Sequence, residues 1–207
     1  MNDFLKEDGL HLPIMEQFYT IQGEGFHAGR AAYFIRTSLC DVGCAWCDVK
    51  ESWEAHAKDL ISVNEIIEQV CETKAEYCVI TGGEPCMHNL IPLTDALRKH
   101  NIQIGLETSG CYPLQGNVDW YCFSPKKFKA PNEEAYSLAD ELKIIINHPS
   151  DFEWAESHAK KVSSNCALYL QPEWSKQERF LPAIIDYVKE HPHWKISLQT
   201  HKFMNIP

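Results

Sequence analysis

Apolar runs of strand length alternate with amphipathic helical segments along most of the chain. Several runs are almost continuously apolar, as expected for strands that are covered on both faces. Strands that alternate with helices indicate a parallel sheet built from βαβ units. The predicted strands span residues 31–38, 77–83, 102–109, 119–125, 141–147, 166–172 and 194–200.

The segments between these runs carry the helical period. The predicted helices span residues 63–73, 90–100, 151–162 and 176–191, with Ser62 as the N-cap of the first and Pro182 early in the last. A chain of 207 residues is shorter than a typical eight-unit barrel. The expected fold class is therefore α/β, an incomplete parallel (β/α)6-type barrel that forms a single domain over residues 1–207.

Polar motifs that contain Gly, Pro or Cys follow these strands at their carboxyl ends. They are the cysteine loop of residues 38–50, "GGEP" (82–85), "ETSG" (107–110), "SPK" (124–126) and "QP" (171–172). Ligands of parallel α/β folds bind at that edge. The five motifs are thus predicted to converge on one cavity.

The cysteine loop "SLCDVGCAWCDVK" indicates a metal centre, because Cys40, Cys44 and Cys47 lie within eight residues. A structural zinc ion needs a fourth ligand, such as His56 or a distant cysteine, yet no second closely spaced cysteine pair is present. A [4Fe–4S] cluster held by three thiolates would instead leave one iron open for a substrate or cofactor. The spacing leaves both interpretations open.

The composition and the net charge favour some kinds of partner and cellular location over others. The formal net charge is −10 and "PKKFK" is the one local basic cluster, which favours a small-molecule substrate over a nucleic acid. The apolar runs are too short to cross a bilayer, and residues 1–10 lack the basic-then-apolar order of a signal peptide. Nine cysteines, an odd number, argue against a disulfide framework. The expected location is the cytoplasm, with no membrane contact.

The cysteine spacing and its position after the first strand resemble the radical S-adenosylmethionine superfamily. The glycines of "GGEP" would let backbone approach a ligand, and its carbonyls or Glu84 would meet an amino group; a plain turn is the alternative. The stretch from Glu16 to Glu54, with "VITGGEPCMHNLIPLTDAL", "LETSG", "SPK", "LQP" and "LQTHKFMNIP", resembles the 7-carboxy-7-deazaguanine synthase family nearly end to end.

The resemblance implies a carbon–nitrogen lyase of queuosine and deazapurine biosynthesis. Family members convert 6-carboxy-5,6,7,8-tetrahydropterin to 7-carboxy-7-deazaguanine with loss of ammonia. An electron from the cluster cleaves S-adenosylmethionine, the resulting radical abstracts hydrogen from C6 of the pterin, and the cofactor is regenerated. The resemblance also implies a homodimer and an electron donor such as flavodoxin or ferredoxin.

Residue roles follow from the same resemblance. The catalytic cluster ligands are Cys40, Cys44 and Cys47. The substrate contacts are Ile21, Gln22, Gly23, Arg36, Thr108 and Pro207, the last in a capping tail of residues 199–207. The cofactor contacts are Trp46, Cys47, Asp48, Gly110, Ser124, Pro125, Lys126, Gln171, Pro172, Glu173 and Trp174. Arg36 would bind the substrate carboxylate bidentately, the alternative being a strand-end salt bridge. A frayed end is the alternative for the tail.

One position departs from the family pattern. Family members usually read Cys-Asp-Thr at the third cysteine, where the threonine hydroxyl helps to bind Mg²⁺, but this chain has Val49 there. Mg²⁺ prefers oxygen ligands, so either the ion is held by substrate, water and Asp48 or backbone oxygens, or it is dispensable here. We expect a weaker Mg²⁺ dependence than in members that carry the threonine. Two other functions share the cysteine pattern: a glycyl-radical-enzyme activase, and a non-catalytic zinc- or iron-binding module.

Overall fold

The backbone, described for residues 7–207 by a computed structural model, forms one mixed β-sheet with helices packed on it. The strands in these residues are β1 His11–Ile21, β2 Ala31–Thr37, β3 Leu60–Ser62, β4 Tyr77–Gly82, β5 Gln103–Thr108, β6 Trp120–Phe123, β7 Glu141–Ile146, β8 Ala167–Pro172 and β9 Trp194–Ile196. All seven predicted strands are present.

The sheet is parallel over most of its width and open. Its order is β3-β1-β2-β4-β5-β6-β7-β8-β9, and the strands from β2 to β9 in this order run parallel. β1 is antiparallel to both β2 and β3. Because β3 and β9 lie at opposite ends of that order, the barrel is incomplete, which confirms the expected fold class. β1 and β3 were not among the predicted strands.

Helices α1 to α5 lie in the connections that join parallel strands, as βαβ units require, whereas α6 follows the last strand. They are α1 Val63–Cys71, α2 Ile91–Lys99, α3 Glu134–Leu138, α4 Asp151–Ala159, α5 Gln177–Glu190 and α6 Thr200–Met204. The four predicted helices are α1, α2, α4 and α5, and Ser62 caps α1 as predicted. Pro182 lies inside α5. Among residues 7–207, no helix is both long and apolar enough to cross a bilayer.

Alternation along the strands sorts side chains between two faces of the sheet. On β7, Leu142, Ile144 and Ile146 join the main apolar core beneath the helices. The intervening Lys143 and Ile145 line the interior of the barrel. The interior thus receives every second residue of strands that look uniformly apolar.

The loop between β1 and β2 links the two ends of the open sheet. Gly25 N–H donates to Ser197 Oγ at 2.9 Å, and Thr200 N–H donates to Gly23 O at 3.0 Å. The chain therefore covers part of the gap in the barrel. The expectation of one domain over residues 1–207 stays a prediction; residues 1–6, which also carry part of the signal-peptide argument, lie outside the described residues.

Candidate functional site

The cysteine loop that follows β2 is held by backbone hydrogen bonds. Leu39 N–H donates to Ser52 O at 2.7 Å, and Cys47 N–H donates to Cys44 O at 3.0 Å. Cys44 is buried, while Cys40 and Cys47 are partly exposed. Burial raises the pKa of the Cys44 thiol to about 11, and the neighbouring thiols contribute in the same direction.

The two glycines of "GGEP" serve close packing against this loop. Gly82 has φ +126°, and a Cβ there would lie 2.2 Å from Thr37 O. A Cβ on Gly83 would lie 2.3 Å from Leu39 O. Gly83 N–H in turn donates to Thr37 O at 2.8 Å. The sequence predicted that the backbone at these glycines would approach a ligand closely. In the structure, the backbone of Gly83 closely approaches the backbone of the cysteine loop at Leu39.

Glu84 connects two turns at the carboxyl edge of the sheet through its hydrogen bonds. Its carboxylate accepts from the N–H of Cys86 at 3.1 Å, from the N–H of Ser109 at 2.9 Å, and from the hydroxyls of Thr108 and Ser109. The side chain is 1% exposed. Glu84 is therefore fully engaged by the protein, which leaves the "GGEP" carbonyls, rather than this carboxylate, to meet a ligand.

A cavity of about 250 Å³ opens at this edge. Most of the predicted site residues line it: Ile21, Gln22, Gly23, Arg36, Cys40, Cys44, Trp46, Cys47, Asp48, Thr108, Ser124, Lys126, Gln171, Pro172, Glu173, Trp174 and Pro207. Gly110 and Pro125 are adjacent in sequence to lining residues but are not part of the lining. The motifs thus converge on one cavity, as their positions at the strand ends predicted.

A buried ion cluster forms part of the cavity wall. Lys143 Nζ lies 2.6 Å from Glu24 Oε2 and 3.7 Å from Glu107 Oε2. Burial would lower the pKa of Lys143, but the two carboxylates outweigh it and raise that pKa. Burial would likewise raise the pKa of Glu24, yet the Lys143 ammonium lowers it to about 2. Glu24 and Lys143 are therefore both charged at neutral pH.

Sequence reasoning missed this cluster. Glu107 lies in the "ETSG" motif, and Lys143 lies within an otherwise apolar run. The available signal was a charge at an inward position of a strand that is buried on both faces, where an unpaired charge is costly. Gln22 connects the cluster to the loop before β2, because its Nε2 donates to Glu107 Oε1 at 3.0 Å.

Arg36 both lines the cavity and forms the strand-end salt bridge that was its alternative interpretation. Its Nε lies 2.7 Å from Glu16 Oε1, across the register of β1 and β2. The side chain is 20% exposed. The Glu16 pair fixes one side of the guanidinium, whose planar fork offers further donors.

The predicted cofactor residues form another part of the cavity lining. Lys126 Nζ donates to both Ser124 O and Ser124 Oγ at 2.6 Å, and burial lowers its pKa. Glu173 accepts from Ser175 N–H at 3.1 Å and so caps the short helical turn that contains Trp174. Local hydrogen bonds therefore hold these groups in place.

The C-terminal segment covers the mouth of the cavity. Gln199, His201 and Pro207 line it, and Thr20 Oγ1 donates to Pro207 O at 3.4 Å. A Cβ on Gly23 would lie 2.3 Å from His201 Nδ1, so the segment packs directly on the β1–β2 loop. The short helix α6 within this segment was not predicted.

The cysteines fit a cluster better than a single ion. Within residues 7–207, no three Cys, His, Asp or Glu side chains are grouped closely enough to ligate one metal ion. The thiolates of a four-iron cluster bind different irons, so three cysteines spaced around one cavity suit it. Cys40, Cys44 and Cys47 would hold such a cluster and would leave one iron without a protein ligand.

Comparison with known proteins agrees with this geometry. The sequence model of the Radical SAM superfamily matches residues 34–121, which contain the cysteine loop, β4 and β5. The fold, the loop and this match define a radical S-adenosylmethionine enzyme, a class that uses a [4Fe–4S] cluster, S-adenosylmethionine and a reductant.

Full-length relatives specify the family. The 7-carboxy-7-deazaguanine synthase of Flavobacterium psychrophilum is 53% identical, over 97% of this chain and 95% of that relative. The synthase of Escherichia coli K12 is 34% identical, over 95% of this chain and 100% of the relative. A crystal structure of QueE from Escherichia coli superposes with a TM-score of 0.84 at 30% identity, covering 93% of this chain and 95% of that chain. The chain belongs to the 7-carboxy-7-deazaguanine synthase family.

Proposed function

We propose that this protein converts 6-carboxy-5,6,7,8-tetrahydropterin to 7-carboxy-7-deazaguanine and ammonia. The observation that carries this proposal is that three cysteines and a buried ion cluster line the same cavity. Substrate and products contain the same atoms, so no net oxidant is consumed. When bound, the cluster and S-adenosylmethionine supply a carbon-centred radical.

The substrate occupies the half of the cavity that holds Arg36 and the Lys143 cluster. The free edge of the Arg36 guanidinium binds the substrate carboxylate. Gln22 and the neighbouring backbone of Ile21 and Gly23 contact the pterin ring, with Thr108 at the end of β5. Lys143 lowers the pKa of Glu24 and so keeps its carboxylate ionised, and the carboxylates of Glu24 and Glu107 orient ring N–H groups. Pro207 closes the mouth.

S-adenosylmethionine occupies the other half. Its contacts come from segments that meet at the carboxyl edge, namely Trp46–Asp48, Gly110, Ser124–Lys126 and Gln171–Trp174. Lys126 supports this arrangement because its ammonium lies 5.9 Å from the Trp46 ring centroid. A mouth that is covered by residues 199–207 suits a small molecule, whereas a glycyl-radical activase must admit a protein segment.

Anaerobic reconstitution followed by assay tests this function. We expect the carboxylated tetrahydropterin, S-adenosylmethionine and a reductant to give 7-carboxy-7-deazaguanine and an equal amount of ammonia, with many turnovers per cofactor. Cys44→Ala should abolish cluster assembly and product. Cys71→Ala, at an exposed thiol outside the cavity, should retain both. One bound zinc and no visible absorbance, or stoichiometric cofactor consumption without product, would refute the proposal.

The side chains present do not fit a Mg²⁺ site. Val49 lines the cavity and has no side-chain oxygen. Asp48 Oδ2 is already 2.9 Å from Lys202 Nζ. We therefore expect activity to depend only weakly on Mg²⁺, and Val49→Thr to increase that dependence because it adds a hard oxygen ligand. Val42→Thr, at another apolar lining position, is the control. Identical Mg²⁺ titrations of Val49→Thr and the unaltered protein would contradict this prediction.

The remaining partners are proposed on the same basis. A flavodoxin or ferredoxin supplies the electron, the protein acts in the cytoplasm without binding nucleic acid, and two copies form a homodimer. The exposed Phe203 supports a contact surface, since its side chain is 62% exposed. Trp53, in contrast, is half-buried in the cavity lining.

A further inference from the structure

Each end of the cysteine loop is joined to another part of the molecule by an aspartate–lysine pair. Asp41 directly follows Cys40, and Asp48 directly follows Cys47. Lys129 Nζ lies 2.6 Å from Asp41 Oδ2, and Lys202 Nζ lies 2.9 Å from Asp48 Oδ2. The first pair ties the loop to the segment after β6. The second ties it to α6, in the C-terminal segment.

The C-terminal segment contacts both halves of the cavity at once. Gln199 Nε2 donates to Glu24 Oε1 at 2.8 Å, on the substrate side, and to Asp48 Oδ2 at 3.4 Å. The Lys202 ammonium lies 4.8 Å from the Trp174 ring centroid, and the Phe203 ring meets Trp174 edge-on at 5.5 Å. Residues 199–203 therefore contact two proposed cofactor residues, Asp48 and Trp174, and also Glu24 on the proposed substrate side.

Packing sets the position of this segment. A five-residue helix has no stability of its own in water, so α6 stays in place only through its partners. Lys202 is 23% exposed on its side chain and lies between a carboxylate and an aromatic face. A ligand that orders residues 199–207 will therefore also order Asp48 and Trp174. A ligand that orders Asp48 and Trp174 will likewise order residues 199–207.

We propose that Lys202 is a positioning residue that couples closure of the C-terminal segment over the substrate to the cofactor half of the cavity, through Asp48 and Trp174. This inference rests on the proposed function. Coupling between two ligands is reciprocal, so the pterin strengthens S-adenosylmethionine binding by the same factor as S-adenosylmethionine strengthens pterin binding.

Equilibrium binding without turnover tests the coupling. The cluster-loaded protein is titrated with S-adenosylmethionine in the absence of reductant, with and without saturating 6-carboxy-5,6,7,8-tetrahydropterin, by equilibrium dialysis. We expect the pterin to lower the Kd of S-adenosylmethionine at least about fivefold in the unaltered protein. Lys202→Ala should reduce this factor to about one, and Lys202→Arg should restore most of it.

Lys129→Ala is the matched control. It removes the corresponding ion pair at the other end of the same loop, without touching the C-terminal segment, and should preserve the coupling factor. Equal coupling in Lys202→Ala and the unaltered protein would overturn the inference, as would an equal loss in Lys129→Ala. An unaltered protein that binds both ligands independently would also overturn it. Failure of the unaltered protein to bind the pterin at all would instead refute the proposed function.

Discussion

At the scale of single residues, Glu84 shows how one buried side chain can organise a site through hydrogen bonds to the protein itself. Its four hydrogen bonds join the turn after β4 to the turn after β5. Glu84 N–H also donates to Leu39 O at 2.8 Å, at the start of the cysteine loop. The carboxylate therefore joins two of the segments that line the cavity, and the backbone of the same residue joins them to a third.

Replacement of Glu84 should destabilise the whole edge. Glu84→Gln keeps the shape but presents an amide NH₂ to groups that are themselves donors, so we expect a loss of about 3 kcal/mol in the free energy of unfolding. Denaturant titration measures the loss, and cluster content after reconstitution should fall with it. Glu68→Gln, at an exposed position on α1, should change neither. Unaltered stability in Glu84→Gln would contradict this role of Glu84.

A second prediction at the scale of single residues concerns His158 and the pH dependence of stability. Its Nδ1 is 2.9 Å from the Tyr136 hydroxyl, and its ring stacks on Tyr136 and meets Trp154 edge-on. Burial, with a smaller contribution from Lys161, lowers the pKa of His158 from 6.5 to about 4. The folded protein therefore binds this proton less readily than the unfolded chain.

Stability contributed by neutral His158 is complete above about pH 6.5 and is lost as the pH falls toward about 4. The loss attributable to this group reaches about 3 kcal/mol. His158→Gln keeps a partner for the Tyr136 hydroxyl but cannot be protonated, so its stability should decline less steeply in this window. The exposed His11→Gln should keep the slope of the unaltered protein. Parallel curves for all three proteins would refute the assignment.

At the scale of elements, α1 is determined by local sequence. Ser62 Oγ accepts from Glu65 N–H at 3.2 Å, and Glu65 Oε2 accepts from Ser62 N–H at 3.0 Å, which is a complete capping box. The apolar face of the helix buries Val63, Ile66 and Val70. The start and the position of this helix therefore follow from the nine consecutive residues 62–70.

Removal of the N-cap of α1 should lower the free energy of unfolding by about 1 kcal/mol. Ser62→Ala leaves the first N–H groups of α1 without their side-chain acceptor, whereas Ser62→Asp supplies another. Denaturant unfolding of the two variants measures the difference. The cavity lies elsewhere, so turnover should be unchanged in both. A loss in Ser62→Asp as large as that in Ser62→Ala would show that the cap is not the cause.

Long-range pairing explains which elements the sequence did not predict. β1 contains Pro13, Glu16 and Gln17 and has no continuous apolar run, because it is antiparallel and partly exposed. β3 has three residues and exists through its pairing with β1. The parallel strands were predictable because both of their faces are covered. Glu24 and Lys143 were not recognised as site residues, because their partners lie more than a hundred residues away.

At the scale of the whole molecule, the cavity is assembled from both halves of the chain. The β1–β2 loop, the cysteine loop and residues 199–207 meet there, and Gly23 leaves room for His201. An incomplete barrel would expose its interior along the open side. Here the approach of residues 23–25 to residues 197–200 covers part of that opening.

Deletion of Asn205–Pro207 should weaken substrate binding selectively. The deletion removes the proposed contact of Pro207 and the hydrogen bond from Ile206 N–H to His201 O, 3.2 Å long, but keeps Lys202 and its pair with Asp48. We expect the KM for the pterin to rise about tenfold, the worth of one charge-assisted hydrogen bond. The affinity for S-adenosylmethionine alone should not change. Michaelis behaviour identical to that of the full chain would contradict the prediction.

The position of Pro207 in the cavity lining has a practical consequence for recombinant work. Under the proposed function Pro207 closes the opening by which the pterin enters, so an affinity tag fused after this residue would extend from the rim of that opening. Preparations tagged at that end should therefore be poorly active although well folded, and cleavable tags at the opposite end are the better choice for assays.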